Sequence, residues 1–356
     1  MSRVWDIPVH DSTRVRDVRV AAEEASARAG LDPQRTAVAA LVATELATNL
    51  LKHAGGGRFV LNLVEGAHHA PGPSVQLVSL DSGPGIADVA LALRDGYTTA
   101  EASLGAGLGT YRRIANRFDL ASRCGRGTVA VARVDHEATS LHVPSRPATG
   151  PRAGGINIPL AHGEHSGDAW AHVRSGARLS VLLADGLGHG AEAARASTAA
   201  VTELHRAAHL PPPEILRHLH LALRDTRGAA VAIAQVDLDD GHLRFAGVGN
   251  VGARLHAAGS WKPLVSRPGI VGACFPATVP VQHLPWQQDS LLILYSDGLP
   301  SRWTPPHDAE LRGNDPAVMA AVILRDASST ATPVRDDTSV AVLAPNHRTG
   351  AHDHAP

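Results

Sequence analysis

Between His136 and Gly155 the sequence loses its periodic apolar pattern, and that interruption divides the chain into two separately built halves. Pro144, Pro147, Pro151 and the pair Gly154-Gly155 fall inside it, residues that interrupt helices and strands and suit a connection. With 356 residues in all, each half is long enough to bury its own core. The expected organisation is an N-terminal domain over 1–136, a linker over 137–155 and a C-terminal domain over 156–344. A polar tail rich in Gly, His and Pro follows over 345–356 and reads as disordered.

In the first half, Val15, Val18, Ala22 and Ala25 recur at helical spacing, with Asp11 or Ser12 as N-cap and Gly30 as the stop. A second helix is expected from Pro33 to Ala54, ended by Gly55-Gly56-Gly57. Strand-like runs follow over Arg58–Val64 and Val75–Leu80, then a helix over about Gly109–Arg117 and a strand over Thr128–Val134. Helices and strands in this order imply an α/β layer packing. On the second helix Glu45, Asn49 and His53 stand four residues apart and share one face, while Leu46 and Leu50 point to a neighbouring, buried one. A solvated face would explain the triplet taken by itself. The sequel weighs against that reading. Asp81 leaves a strand just before Gly83 and Gly85, which suits a carboxylate holding the amino group of a base while the backbone passes close by. Gly105, Gly107 and Gly109 then open a helix, where free N–H groups favour phosphate.

In the second half, apolar runs are expected to form strands at Arg178–Ala184, Ala229–Asp237, His242–Gly247, Ser290–Tyr295 and Thr338–Leu343. Helices are expected near Gly190–Ala208 and Pro213–Asp225. Acidic residues recur at the ends of such runs: Asp168, Asp185-Gly186, Asp297-Gly298 and Asp336-Asp337. A single Asp-Gly is usually a turn. Several together, with Asp185 and Asp297 each ending a long apolar run, deliver carboxylates to a common sheet edge. Oxygen donors without Cys or paired His select Mg²⁺ or Mn²⁺ over zinc.

The ordered set Glu45-x-x-x-Asn49-x-x-Lys52-His53, Asp81-x-Gly83-Pro84-Gly85, Gly105-x-Gly107-x-Gly109 and Gly125-x-Gly127-Thr128 resembles the GHKL (Bergerat-fold) ATPases, in particular the anti-sigma serine kinases that include RsbT. The resemblance implies that Asn49 holds Mg²⁺ on the ATP phosphates, Asp81 contacts adenine, the Gly105–Gly109 loop forms part of the lid, and Glu45 is the base. Lys52 or His53 would add positive charge near the phosphates, and Thr128 belongs to the last box. Phosphoryl transfer asks for such a set: a positioned nucleophile, a metal and a proton-accepting carboxylate. A domain that only binds ATP and a partner protein stays open beside the kinase.

From about 154 to 344 the acidic motifs, with Thr226-Arg227-Gly228 and Gly247-Val248-Gly249-Asn250, resemble the metal-dependent 2C protein phosphatases, in particular the sporulation stage II E and RsbX-like group. That resemblance implies an α/β/β/α sandwich, so the whole chain is expected to be α+β. By it, Asp185 bridges two ions, the Gly186 carbonyl ligates one of them, Asp297 and Asp336 complete the second, and Asp168 lies nearby. Asp337 would be a supporting residue, and the roles of His189 and Asn250 are left unassigned. No arginine in an early strand of this half fills the phosphate-binding place seen in some relatives. The targets implied are STAS-domain anti-sigma antagonist phosphoproteins in a partner-switching pathway, with a sigma-factor regulator as a further partner.

The net charge of −1 lacks the basic excess of a nucleic-acid binder. No apolar run reaches the length of a membrane span, and Asp6, Asp11, Asp17, Glu23 and Glu24 stand where a signal peptide would be apolar, so a cytoplasmic protein is expected. Cys124 and Cys274 lack a metal-ligand spacing and read as packing residues, and most histidines read as surface residues.

Overall fold

In a computed structural model the chain is described over residues 3–66, 72–93, 108–137, 150–306, 310–328 and 334–346. The N-terminal half runs β1 (Trp5–Val9), α1 (Ser12–Ala29), α2 (Pro33–Ala54), β2 (Gly57–Val64), β3 (Ser74–Leu80), α3 (Val89–Ala92), α4 (Leu108–Ile114), β4 (Arg117–Arg123) and β5 (Gly127–Val134). Asp11 caps α1 by accepting from Thr13 N and Arg14 N. Asp32 caps α2 through Arg35 N, with Pro33 beside it in the first turn, and Gly30 and Gly55 end the two helices in the left-handed region. The strands form one antiparallel sheet in the order β1-β2-β3-β5-β4. Alternation along its strands separates two faces. Phe59, Leu61, Val75, Leu77, Ala130 and Ala132 pack under α1 and α2, whereas Val60, Val78, Leu80, Val129 and Val131 face the other way.

The C-terminal half runs β6 (Arg152–Ile158), β7 (Asp168–Ser175), β8 (Arg178–Gly186), α5 (Ala191–Ala207), α6 (Pro212–Ala222), β9 (Ala229–Asp237), β10 (His242–Val248), β11 (Gly252–Ala257), β12 (Ser260–Leu264), β13 (Gln282–Pro285), β14 (Leu291–Tyr295), α7 (Pro316–Ala327) and β15 (Thr338–Ala344). One sheet has the order β13-β10-β9-β8-β7 and the other β12-β11-β14-β15-β6. Their facing sides share a core of Leu183, Ala232, Phe245, Leu255, Leu292 and Leu343. Helices α5 and α6 cover the outside of the first sheet, and α7 lies against the second. The result is the expected α/β/β/α sandwich, in a chain that mixes helix and sheet throughout.

Helix α7 also closes the far face of the N-terminal sheet. Residues Ala317 to Leu324 are all buried, in one cluster with Val60, Val78, Val129 and Val131 on one side and Ile156, Ile293, Val340 and Val342 on the other. Each fully buried Val, Leu, Ile or Met of this helix contributes about 1.5–3 kcal/mol of transfer energy. Polar residues on the same sheet face also reach across. Arg133 makes a bidentate pair with Asp315 at 2.9 and 3.0 Å, Gln76 Nε2 donates to the Gly155 carbonyl, and Asn62 Nδ2 donates to the Asn157 carbonyl.

Two expectations need correction. The linker does not extend to 155, because β6 begins at Arg152 and pairs with β15 from Ala344 to Thr338. Gly154 and Gly155 are close-packing residues and not a turn: a Cβ on the first would stand 2.6 Å from Ala317 N, and one on the second 2.7 Å from the Trp170 ring. The cysteines are not packing residues either, since both are free and exposed. Residues 138–149 of the expected linker and 347–356 of the expected tail lie outside the described residues.

Candidate functional site

In the N-terminal half, α2 delivers Glu45 and Asn49 half-buried and Lys52 and His53 exposed near its C-terminal end. The loop after β3 folds against that end: a Cβ on Gly83 would lie 2.7 Å from Ala54, which only glycine avoids. Asp81 Oδ1 accepts from Gly83 N at 2.9 Å and from Thr128 N at 3.0 Å, so the carboxylate ties its own loop to the start of β5. Gly85 and Gly127 both have positive φ, and a side chain on them would meet the Arg123 carbonyl at 2.0 Å and the Asp81 carbonyl at 2.1 Å. Thr128 Oγ1 shares a 2.8 Å hydrogen bond with Ser122 Oγ. The structure thus brings Glu45, Asn49, Asp81, Gly83, Gly85 and Thr128 to one side of the sheet. Gly109 lies in α4, and Gly105 and Gly107 fall outside the described residues.

One residue there escaped the sequence reading. Tyr111 is buried on α4, and its hydroxyl donates to Glu45 Oε2 at 3.2 Å. Burial, then the Glu45 charge, raises the phenol so that it stays protonated and keeps donating. No spacing in the sequence joins positions 45 and 111, so only the fold could reveal the pair.

In the C-terminal half, Asp168 at the start of β7 pairs in register with Asp185 near the end of β8. Asp297 follows β14, and Asp336 and Asp337 precede β15, its neighbour in the other sheet. The two sheet edges therefore converge on these five carboxylates. The Gly186 N–H donates to the Gly167 carbonyl at 3.0 Å, and a Cβ on Gly186 would collide with the Ala193 carbonyl at 2.2 Å. Asp337 accepts from Leu160 N at 2.7 Å and from Gly167 N at 2.6 Å, so it braces the loop before Asp168. Asp336 beside it is exposed. Asn250 Nδ2 donates to Asp297 Oδ2. Arg227 stands over the Asp185 loop, its Nη1 3.1 Å from where a side chain on Gly188 would begin.

Among the described residues no lysine or arginine pairs with any of these carboxylates, and the consequence shows in the shielded ones. Burial and then Asp185 push Asp168 well above its ordinary value. Burial, Asp297 and Asp336 push Asp185 up to about 7, and burial followed by Asp336 raises Asp297. As they stand, no three such side chains among the described residues surround one point closely enough to hold an ion. The donor set nevertheless fits a hard cation. All its atoms are oxygen, its charge is uncompensated, and Asp168 Oδ1 is buried without any hydrogen-bond partner. Ser296, also missed from sequence, donates to Asp168 Oδ2 at 2.5 Å and accepts from Ser339 N at 2.9 Å.

The fold and these two clusters define two classes of domain, an α/β/β/α sandwich ending in a carboxylate cluster and a single sheet ending in a glycine-lined site. More narrowly, residues 175–346 match the Stage II sporulation protein E (SpoIIE) family and residues 9–133 the histidine kinase-like ATPase domain. Asp168 lies just before the first of these matches. Over 85 residues the chain is 34% identical to the serine/threonine-protein kinase RsbT of Bacillus subtilis (strain 168), a stretch that is 24% of this chain and 61% of RsbT. The chain thus spans less than two thirds of that relative's length. Among solved structures, one reported under the bacterial stressosome is 25% identical, covering 54% of this chain and 98% of its own with a TM-score of 0.48. RsbX in complex with magnesium is 20% identical over 55% of this chain and 96% of its own, with a TM-score of 0.47. The phosphatase domain of SpoIIE from Bacillus subtilis with a fragment of its regulatory domain is 18% identical over 65% and 71%, with a TM-score of 0.45. Among the described residues no helix is long and apolar enough to cross a membrane.

Proposed function

We propose that this chain is a bifunctional partner-switching protein, removing phosphate from serine or threonine in its C-terminal half and binding ATP to phosphorylate a protein hydroxyl in its N-terminal half. The observation that carries the reading is the carboxylate cluster, with which no described lysine or arginine forms an ion pair. Asp185, Asp297, Asp336, Asp168 and the Gly186 carbonyl would hold Mg²⁺ or Mn²⁺. Such ions, when bound, acidify water for attack and neutralise phosphoryl oxygens. The remaining residues keep these donors in place. Ser296 fixes one oxygen of Asp168, Asn250 orients Asp297, and Asp337 braces the loop carrying Asp168. Arg227, exposed beside the same loop, is suited to meet the phosphate of an incoming protein.

In the other half, Asn49 with Mg²⁺, Asp81 and the glycine-rich loops would hold ATP, and Lys52 and His53 would lie toward its phosphates. Glu45 would accept the hydroxyl proton, and Tyr111 keeps its carboxylate in one orientation. STAS-domain anti-sigma antagonist proteins are the substrates this pairing suggests, a reading supported by the 85-residue likeness to the serine/threonine-protein kinase RsbT.

The test uses the full chain and a STAS-domain protein. Phosphate release from its phosphoserine form in Mn²⁺, lost in Asp185→Ala, supports the phosphatase. Label transfer from γ-labelled ATP to its unphosphorylated form, lost in Glu45→Ala, supports the kinase. Phosphatase activity surviving in Asp185→Ala would overturn the first assignment. Tight ATP binding with no transfer would leave the N-terminal half a binding module.

A further inference from the structure

We propose that the cavity between the two halves of the chain binds a small molecule bearing two or more phosphate groups. This site is separate from both clusters described above and rests on neither proposed reaction.

The cavity has a volume of about 860 Å³, within the range that encloses nucleotide-sized ligands. Its walls come from both halves: Asn62 to Gly66 at the end of β2 and Arg117 at the start of β4, against β6, β7 and one side of α5. Six cationic or imidazole side chains stand in the lining: Arg3, Arg117, Arg152, Arg174, His172 and His205. Glu65 is the one acidic side chain among the described lining residues, and His205 Nε2 already engages it at 2.7 Å.

Several of these groups have donors to spare. Arg117 and Arg174 have no acidic partner within ion-pair reach among the described residues. Arg3 pairs with Glu24 and Glu164, and Arg152 Nη2 donates to the Asn314 carbonyl, yet Nε of each is buried without a partner. His172 Nδ1 and Thr198 Oγ1 on the same walls are likewise buried and unpartnered. Buried polar atoms left without a partner are costly, and these four stand in the walls of this one cavity. Guanidinium forks match phosphate oxygens in pairs, and here they approach one space from β4, β6 and β7, so a single phosphate would leave some unmet. Trp170 and His172 stack nearly parallel on one wall, with centroids 6.1 Å apart, and offer a flat surface beside the cations. Burial, followed by the charges of Arg133, Arg117, His205 and Arg174, lowers His172 to about 4.

The full chain carrying Asn49→Ala, which silences the nucleotide face, is titrated calorimetrically in EDTA with pyrophosphate and with ADP. Binding of one equivalent of pyrophosphate is expected, weakened at least tenfold when Arg117→Ala and Arg174→Ala are added. ADP binding more tightly than pyrophosphate would mark a nucleotide as the occupant, and equal affinity an inorganic oligophosphate. Neither side chain is hydrogen-bonded to a described residue, so the added pair should leave the ligand-free melting temperature unchanged. Arg117→Lys, which keeps the charge but loses the fork, should bind more tightly than Arg117→Ala and less tightly than the arginine. No heat with either probe, or the same affinity with both arginines removed, overturns the proposal.

Discussion

His172 should make the protein lose stability as the pH falls from 7 to 5, and replacing it with glutamine should remove that loss. Its ring sits on β7 among Arg117, Arg133, Arg174 and His205, with Trp170 stacked on one side and Nδ1 shut off from solvent. Folding lowers it from 6.5 to about 4. Between those values the unfolded chain binds a proton that the native chain refuses, so native stability falls as pH falls through that window. With one pH unit of difference equal to about 1.4 kcal/mol, the loss between pH 7 and pH 5 comes to about 2 kcal/mol, and it approaches about 3.4 kcal/mol below pH 4. The acidic cluster runs the other way, since carboxylates raised on folding favour the native state at low pH. For that reason the quantity to measure is the difference between wild type and His172→Gln. Urea unfolding in EDTA at pH 7, 6 and 5 gives it directly. A difference that stays flat, or that moves in favour of the wild type on acidification, refutes the reasoning about the ring's surroundings.

Three other outcomes are expected. Asp185→Asn should lower Mn²⁺-dependent hydrolysis of an aryl phosphate at least ~100-fold, about 2.7 kcal/mol of barrier, while calorimetric ATP affinity is unchanged. Asp81→Asn keeps an oxygen to accept from Gly83 and Thr128, so thermal stability should hold while ATP affinity drops ~10-fold or more; equal affinity would remove Asp81 from the base-binding role. Arg133→Ala leaves the half-buried Asp315 charge without its partner and should cost about 3 kcal/mol in urea unfolding, whereas Arg133→Met combined with Asp315→Asn, which keeps the oxygen that caps α7, should recover part of it.

Where apolar periodicity met a cap or a stop, the sequence was sufficient. Helix α2 occupies Pro33–Ala54 as expected, between Asp32 and Gly55, and the strands at 58–64, 178–184, 229–237 and 338–343 were placed to within a residue or two. Helix α7 was not anticipated, because a stretch buried on both sides shows no polar face to mark its period. Edge strands β1, β4, β12 and β13, with exposed or mixed faces, left equally little pattern. The acidic motifs were legible because each Asp ends an apolar run, a local signature. The contacts of Ser296 with Asp168, of Tyr111 with Glu45 and of Asn250 with Asp297 join residues 47 to 128 positions apart, which no window along the chain can sense.

Helix α7 has a consequence for how the molecule comes apart. Because both sheets roof it, neither half can be pulled away without baring a helix of nearly continuous apolar surface to water. Heating the intact chain should give one calorimetric peak in place of two, and a fragment cut to the C-terminal sandwich should clump unless that face is mutated. The bond between the halves is made of shared core and not of a removable rim, so the two halves should unfold as one unit.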